Sequence, residues 1–241
     1  MTDADADIPH ESQPDAPGEL PPIVEYPDDT LAAALERHGI ALPSEQVAPL
    51  ARYHELVCEW NEKLNLTRHT SFEKFVGRDV VDSLKVAAHL DPGTSVIDVG
   101  TGGGVPGVIL KIVRPDLQVT LTDTVGKKVR AVDDIVRRIP LDAQVHNCRA
   151  QDILEMRKVG ALVVRAVAPL DKLLTWFTPY QRGIEKMLVI KGPSWVDERY
   201  EARQKRLLNS WDLRKVEEWP LPGTHSQSVL LELKRKADPR S

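Results

Sequence analysis

Hydrophobic positions divide the chain into two regions of different periodicity. From Thr30 to about Leu90, apolar residues recur every three or four positions, as they do on one face of an amphipathic helix. Gly39 is placed to end the first helix and Ser44 to cap the second. The apolar positions are Leu31, Ala34, Leu35, Val47, Leu50, Leu56, Val57, Trp60, Leu64, Phe72, Phe75, Val76, Val80, Leu84, Val86, Ala87 and Leu90. This pattern predicts a helical N-terminal subdomain over residues 30–92.

From residue 93 onward, short β-branched runs alternate with helical stretches. Strands are predicted at 95–99, 118–122, 143–147, 161–167, 186–190, 213–218 and 229–233. Helices are predicted near 106–113, 126–138, 170–182 and 195–208, with a short turn at 151–156. Strands that alternate with helices indicate a parallel sheet covered on both faces. The last two strands are joined only by a turn around 220–223, which predicts an antiparallel hairpin at one edge. We therefore expect an α/β fold with a seven-stranded, mostly parallel sheet over residues 93–237.

Charge is distributed unevenly along the 241 residues. The chain has 32 Lys and Arg against 36 Asp and Glu, a formal net charge of −4. Residues 1–29 hold nine acids and no Lys or Arg, so the remainder carries 32 basic against 27 acidic residues, about +5. The first 29 residues are also rich in proline and poor in large apolar side chains, which predicts a disordered acidic tail. The mildly basic remainder is compatible with RNA binding but too weakly charged to indicate it alone.

Composition also narrows the location and the possible cofactors. An acidic beginning is unlike a secretory signal or a transit peptide, and no window offers the roughly 18 apolar residues of a membrane span. Cys58 and Cys148 are too few for a disulfide framework and have no His at ligand spacing. We expect a cytoplasmic protein with reduced thiols, no membrane partner and no metal ligands.

A glycine-rich loop is the sharpest motif. The apolar strand that contains Asp98 runs into Gly100, and four further glycines, Gly102, Gly103, Gly104 and Gly107, follow within seven residues. Glycines let the chain turn tightly and let a ligand lie against bare backbone. In parallel sheets, ligands bind at this carboxyl edge of the strands. The loop predicts a ligand site that includes Asp98, Gly100 and Gly102, although a tight turn without a ligand remains an alternative.

The spacing of the loop distinguishes between two nucleoside cofactors. Gly102, Gly104 and Gly107 match the dinucleotide fingerprint, but Gly100 already ends the strand, and counted from there the third glycine position falls on Val105. A carboxylate at Asp98 would repel a pyrophosphate, whereas it suits a sulfonium ligand that bears an ammonium group. The pattern favours S-adenosylmethionine.

Asp123 ends the second predicted strand, about 20 residues beyond the loop. A carboxylate in that position can accept hydrogen bonds from ribose hydroxyls, which suits either nucleoside cofactor. A helix cap or a solvated turn acid is the alternative for this residue. Asp123 therefore supports a nucleoside cofactor without choosing between the two.

Four stretches resemble the small-subunit ribosomal RNA methyltransferase G family, also called glucose-inhibited division protein B. The stretch 60–67 is similar to the family's W-N-x-x-x-N-L-T, and Arg78 with 82–84 is similar to its R-H-x-x-D-S-L. The loop at 98–107 is similar to D-V-G-T-G-x-G-x-P-G, and 123–129 to D-S-x-x-K-R/K-V. The order and spacing cover about residues 45–192. The resemblance implies a Rossmann-like class I S-adenosylmethionine-dependent methyltransferase.

The resemblance also implies an activity and site residues. The reaction would be methyl transfer from S-adenosylmethionine to N7 of one guanine in 16S rRNA. The family's cofactor contacts fall on Gly100, Val105, Ala150, Gln151 and Arg165. The departures from the family pattern include Gln151, which replaces the usual Glu, and Asp79, which replaces the usual His after the Arg. Asp79 would place a negative charge where RNA or the helical subdomain lies.

The expected chemistry needs no catalytic side chain. Guanine N7 carries an in-plane lone pair and no proton, so attack on a methyl group requires positioning rather than a general base. Arg165 lies in an apolar strand and is costly there unless paired, so we expect either a functional contact or an ion pair with Asp98 or Asp123. Arg78 and Lys191 are the candidate substrate contacts. For Lys191, at the end of the fifth strand, a solvated turn lysine is an equal alternative.

Three other functions remain open at this point. They are a methyltransferase with a small-molecule or protein substrate, an RNA-binding assembly factor that keeps the fold without activity, and a nicotinamide enzyme. The last is disfavoured because the sequence shows no second nucleotide-binding half. The expected partner is 16S rRNA within the small ribosomal subunit, and a monomer is favoured.

Overall fold

Seven strands form one sheet in the computed structural model, which describes residues 26–236. The strands are β1 Ser95–Val99, β2 Gln118–Thr122, β3 Ala143–His146, β4 Val159–Arg165, β5 Ile184–Lys191, β6 Trp211–Pro220 and β7 Gln227–Arg235. Their order in space is β3-β2-β1-β4-β5-β7-β6. The first five strands pair in parallel, whereas β7 is antiparallel to both β5 and β6. The predicted fold class, including the edge hairpin, is confirmed.

Helices cover both faces of the sheet. They are α1 Leu31–Arg37, α2 Ser44–Asn61, α3 Phe72–Lys74, α4 Val81–Ala87, α5 Gly107–Val113, α6 Gly126–Arg138, α7 Ala150–Met156, α8 Leu170–Phe177 and α9 Trp195–Gln204. A π-helical turn over Phe75–Val80 joins α3 to α4. Within residues 26–236, no helix is long and apolar enough to cross a bilayer.

Several local expectations need correction. Residues 151–156 lie in a helix, α7, rather than in a turn. Ser44 is the first residue of α2 and does not cap it, because its hydroxyl faces Glu45. Strand β4 ends at Arg165, two residues earlier than expected, because Ala166 adopts a left-handed backbone with φ 54° and turns the chain out of the sheet.

Alternating side chains of the central strands build two hydrophobic cores. In β1, Val96 packs on the side of α1, α2, α5 and α6, whereas Ile97 packs on the side of α7, α8 and α9. Such alternation follows from the two-residue period of a strand. Leu50 and Tyr53 of α2 belong to the same buried cluster as Val96. Residues 30–92 are therefore a helical layer over one face of the sheet, and we call them the helical layer below.

Residues just before the helical layer also contact it. The carboxylate of Asp29 accepts hydrogen bonds from the backbone N–H groups of Phe72 and Glu73, at 3.2 and 3.0 Å. Arg37 lies over the ring of Tyr26, 4.1 Å from its centroid. The predicted acidic tail at 1–29 thus includes residues that contact the layer, and its remaining part, 1–25, lies outside the described residues.

We predict that Gly107→Ala destabilises the protein by about 2 kcal/mol. A Cβ atom at Gly107 would overlap Leu121 Cδ2 and lie 2.6 Å from Asp98 Oδ2. Gly192→Ala is the matched control, because a Cβ there meets nothing within 4 Å. Urea unfolding of both variants measures the difference. Equal free energies of unfolding for the two variants would show that the loop is not packed this closely.

Candidate functional site

The glycine loop between β1 and α5 has a backbone that only glycine adopts easily. Gly100, Gly102 and Gly104 have φ angles of 65°, 60° and 104°. A Cβ at Gly100 would lie 2.9 Å from Val167 Cγ2, so the loop passes close to the segment after β4. The buried Tyr53 hydroxyl donates a hydrogen bond to the carbonyl of Gly103 at 2.9 Å. The helical layer therefore holds the glycine loop through the hydrogen bond from Tyr53.

Asp98 holds the loop to the start of α5. Its Oδ2 accepts hydrogen bonds from Thr101 Oγ1 at 2.6 Å and from the Gly107 N–H at 2.9 Å. Its Oδ1 is buried and accepts no hydrogen bond from the described residues. Burial raises the pKa of Asp98 to about 6, and the two hydrogen bonds oppose that rise. Asp98 is absent from the described lining of the three cavities below, so its predicted cofactor contact stays a prediction.

Asp123 connects the loop to the next strand. Its Oδ2 accepts a hydrogen bond from the Gly102 N–H at 3.1 Å, and its Oδ1 accepts one from the Val125 N–H at 2.8 Å. Asn147 Nδ2 donates to the Asp123 carbonyl at 2.9 Å. These contacts fix the carboxylate at the carboxyl end of β2, where it faces a cavity.

The first cavity, of about 510 Å³, lies at the carboxyl ends of β1, β2 and β4. Four predicted cofactor residues line it: Gly100, Asp123, Ala150 and Gln151. Ala150 and Gln151 begin α7, directly after β3. The volume falls within the range of about 300–1,000 Å³ that is usual for small-molecule sites. The structure thus brings these four residues together around a space suited to a nucleoside.

The second cavity, of about 200 Å³, lies between the glycine loop and the helical layer. Three further predicted cofactor residues, Gly102, Val105 and Arg165, line it. The opposite wall consists of residues from the layer: Tyr53, His54, Val57, Leu66, Thr67, His69, Phe75 and Asp79. The second cavity shares lining residues with the first, including Gly100 and Lys128. The two spaces therefore adjoin along the loop.

Arg165, the last residue of β4, is paired with two acids of the helical layer. Its Nη1 donates to Asp79 Oδ1 at 2.7 Å and to Asp82 Oδ2 at 3.1 Å. His69 Nδ1 lies 2.9 Å from the same Asp79 oxygen, and Trp219 Nε1 donates to Asp82 Oδ1 at 3.0 Å. The alternative of an ion pair between Arg165 and Asp98 or Asp123 is thus wrong. We call Arg165, Asp79, Asp82 and His69 the ion cluster.

The acids of the ion cluster differ in their proton affinity. Burial alone would raise the pKa of Asp79, but the contacts with His69 and Arg165 outweigh it and hold the pKa below its usual value. Burial raises the pKa of Asp82, which Arg165 only partly offsets. Of the two surroundings expected for Asp79 from the sequence, RNA or the helical subdomain, the structure gives the second, because Asp79 is 2% exposed. Arg165 neutralises it inside the protein.

The third cavity, of about 630 Å³, lies at the carboxyl ends of β4 and β5. Both candidate substrate residues line it. Lys191 Nζ donates to the Ala168 carbonyl at 2.6 Å and pairs with Glu198 Oε2 at 2.7 Å. The alternative that Lys191 is a solvent-exposed residue of a turn is therefore wrong. Arg78 Nε is buried without an acceptor in the described part of the chain. Ala166 lines all three cavities, which therefore meet at the end of β4.

Sequence reasoning missed several lining residues. Thr124 and Arg149 follow β2 and β3, so the strand-end rule that selects Asp123 would also find them. Trp176 comes from the end of α8, whereas Tyr53 and His69 come from the helical layer. No local pattern marks these three, because packing of the helices brings them to the site.

We predict that Asp98→Asn changes the pH dependence of stability. The folded pKa of about 6 exceeds the unfolded value near 3.9, so protonation stabilises the native state, and this contribution is lost as the pH rises through that window. From about pH 7.5 to about pH 5, the unaltered protein should gain about 1 kcal/mol more than the variant. Urea unfolding at both pH values measures this. An equal change in the two proteins would contradict an Asp98 that titrates in this window.

Comparison with known proteins places these features in a family. The family model described as rRNA small subunit methyltransferase G matches residues 46–225. A ribosomal RNA small subunit methyltransferase G from Rhodopirellula baltica is 40% identical over 194 residues, which cover 80% of this chain and 84% of the relative. The protein of the same name from Moorella thermoacetica is 32% identical over 218 residues, 87% of this chain and 90% of the relative.

Solved structures with little sequence identity share the fold. A precorrin-6y C5,15-methyltransferase from Geobacter metallireducens has a TM-score of 0.51 at 8% identity and covers 72% of this chain and 92% of its own. M. capricolum TrmK, solved in complex with S-adenosyl-homocysteine, has a TM-score of 0.50 at 13% identity. The match covers 64% of this chain and 68% of the TrmK chain. From the family match and the identity to its relatives, the chain belongs to the rRNA small subunit methyltransferase G family, a family of S-adenosylmethionine-dependent methyltransferases.

Proposed function

We propose that the protein transfers the methyl group of S-adenosylmethionine to N7 of a guanine in 16S rRNA of the small ribosomal subunit. The observation that carries this proposal is the meeting of the first and third cavities at Ala166 and Val167. A nucleoside cofactor in the first cavity and an RNA base in the third would approach each other at the carboxyl end of β4. Family membership supports the choice of ribosomal RNA as substrate.

The adenosine of the cofactor is assigned to the first cavity. Asp123 would accept hydrogen bonds from the ribose hydroxyls, as an acid at the end of β2 does in nucleoside-binding sheets. Gln151 can both donate to and accept from the adenine edge, and Ala150 offers a small contact beside it. Gly100 and Gly102 leave room for the ligand against the backbone. Asp98 would act indirectly, by holding the loop to α5.

The target base is assigned to the third cavity. A base inside structured RNA would leave its stack to enter this cavity. Arg78 and Arg165 face this space, and a guanidinium suits a phosphate or a guanine edge. Lys191 adds a cation, although Glu198 already holds its ammonium group. Arg78 is the stronger candidate for phosphate, because its buried Nε has no acceptor among the described residues.

Methyl transfer at N7 needs no proton acceptor. S-adenosylmethionine, held by Asp123 and Gln151, would supply an electrophilic methyl group to the N7 lone pair, with S-adenosylhomocysteine as the leaving group and the positive charge ending on the guanine ring. The contribution of the protein is alignment and electrostatic complementarity. The Asp82 carboxylate lines the third cavity, where it would face the positive charge that develops on the base.

The wider context of the reaction is also part of the proposal. Some surface cations are paired, such as Arg138 with Glu59 and Lys205 with Asp171, so only part of the basic excess can contact phosphate. We infer that a monomer recognises folded RNA in the small subunit, in the cytoplasm. The segment 30–92 would serve as a helical subdomain of the methyltransferase domain at 93–237, and the acidic segment 1–29 would take no part in catalysis.

Incubation with tritiated S-adenosylmethionine and small subunits that lack the modification tests the proposal. We expect label in 16S rRNA, at N7 of one guanine, and none with subunits that already carry the methyl group. Label on protein or on a small molecule would contradict the proposed substrate. Tight binding to subunits without transfer would instead indicate an assembly factor.

We predict that Arg78→Gln lowers kcat/KM for small subunits by about ten- to a hundredfold, because a charged contact to RNA is lost. The affinity for S-adenosylmethionine should stay unchanged, since Arg78 lies outside the first two cavities. Arg52→Gln is the control, because Arg52 is exposed on α2 and pairs only locally, with Glu55 at 3.0 Å. A parallel loss in both variants, or weaker cofactor binding by Arg78→Gln, would contradict this role.

A further inference from the structure

The second cavity is small, yet both acidic and basic side chains line it. The described residues that line this cavity of about 200 Å³ include one acid, Asp79. They include two basic residues of the Lys and Arg type, Lys128 and Arg165. The remaining walls are the glycine loop, Ala166, and apolar, hydroxyl and imidazole side chains of the helical layer. One anion and two cations around so small a space suit a short ligand that carries both signs of charge.

Asp79 is held in its ionised form and in a fixed position. His69 and Arg165 both contact Oδ1, at 2.9 and 2.7 Å. Its backbone carbonyl accepts a hydrogen bond from the Ser83 hydroxyl at 2.7 Å, which adds a local restraint. The pKa of Asp79 lies below its usual value because the contacts with His69 and Arg165 outweigh its burial. A fixed, ionised carboxylate that borders a cavity can accept from a cation without reorganisation.

The position of the second cavity follows from that of the first. The two share Gly100, Lys128 and Ala166, and both lie along the same edge of the sheet. Adenosine bound in the first cavity would carry its sulfonium substituent past Gly100. That substituent ends in an amino acid, with one ammonium group and one carboxylate. Its two charges match the signs of Asp79 on one side and of Lys128 and Arg165 on the other.

We propose that the second cavity holds the amino-acid end of the cofactor and that Asp79 accepts a hydrogen bond from its ammonium group, with Lys128 and Arg165 facing its carboxylate. The inference rests on the proposed function, since it presumes adenosine in the first cavity. The sequence suggests Asp98 as the carboxylate that faces the ammonium group of the cofactor. The proposal assigns that contact to Asp79, in the helical layer, instead. Asp98 has Oδ2 engaged by Thr101 and Gly107 and is absent from the described lining of the cavity.

The test is a thermodynamic cycle between one carboxylate and one ammonium group. Isothermal titration measures the affinities of the full chain for S-adenosylhomocysteine and for 5′-(3-carboxypropyl)thioadenosine, the same molecule without its amino group. The unaltered protein should prefer S-adenosylhomocysteine at least tenfold. Asp79→Asn should bind the two ligands within about twofold of each other, because its carboxamide lacks the charge that the ammonium group selects.

Asp82→Asn is the matched control. Asp82 contacts the same Arg165 nitrogen as Asp79 but lines the third cavity, not the second. This variant perturbs the ion cluster without removing the acid from the second cavity, so it should keep the tenfold preference. A preference that survives in Asp79→Asn, or that is lost equally in both variants, overturns the proposal.

Two further results separate this proposal from the proposed function. If the unaltered protein binds neither ligand, the cofactor assignment itself fails. If it binds both ligands with equal affinity, the assignment of adenosine to the first cavity is kept and the proposed contact between Asp79 and the ammonium group is overturned. Should Asp79→Asn not fold, a crystal structure of the unaltered protein with S-adenosylhomocysteine decides. A distance of about 3 Å between the ligand nitrogen and an Asp79 carboxylate oxygen supports the proposal, and any distance beyond hydrogen-bond reach overturns it.

Discussion

The ion cluster at the end of β4 is the constraint on which the rest of the site depends. Arg165 ends an apolar strand, where an unpaired guanidinium would cost several kcal/mol. Its two partners, Asp79 and Asp82, come from the helical layer, 86 and 83 residues earlier in the chain. The requirement to neutralise Arg165 therefore fixes the helical layer over the carboxyl edge of the sheet. That placement creates the second cavity and one wall of the third.

The glycine loop is held from two directions as a result. Asp98 and Asp123 anchor it from the sheet, through Gly107 and Gly102, while Tyr53 holds Gly103 from the helical layer. Asp123 accepts backbone N–H donors with both carboxylate oxygens, whereas Asp98 accepts a hydroxyl and a backbone N–H with Oδ2 alone. They differ in exposure to ligand, because Asp123 faces the first cavity and Asp98 lies behind the loop. Similar sequence positions thus support different roles.

The strands and the first cavity could be predicted from the sequence because their signals are local. Periodicity located all seven strands, and the strand-end rule placed Asp123 at the first cavity. The family resemblance, rather than a local pattern, placed Ala150 and Gln151 there. The end of β4 was misplaced because nothing in the local pattern shows that Ala166 takes a left-handed backbone. An alanine can adopt it at modest cost when the surroundings require it.

The contacts that the sequence did not reveal are long-range. The sequence leaves Arg165 between a functional contact and an ion pair with Asp98 or Asp123, and it leaves Asp79 between RNA and the helical subdomain. Sequence spacing does not say how a helical layer docks, so it cannot choose between these alternatives. Lys191 was equally hard to place, since Glu198, from the following helix, holds it in a way that no motif encodes. In each case tertiary packing brings a buried charge to its partner. Local sequence patterns contain no signal for such long-range pairs.

A double-mutant cycle on the free energy of unfolding tests most directly whether Arg165 joins the sheet to the helical layer. The variants are Arg165→Met, Asp79→Asn and their combination, which are measured by urea unfolding at neutral pH. The account predicts a coupling energy of about 1 kcal/mol or more, because each single change removes one partner of a buried charge, although Asp82 still contacts Arg165 and His69 still contacts Asp79. Single effects that simply add would show that the two residues do not depend on each other and would contradict the account.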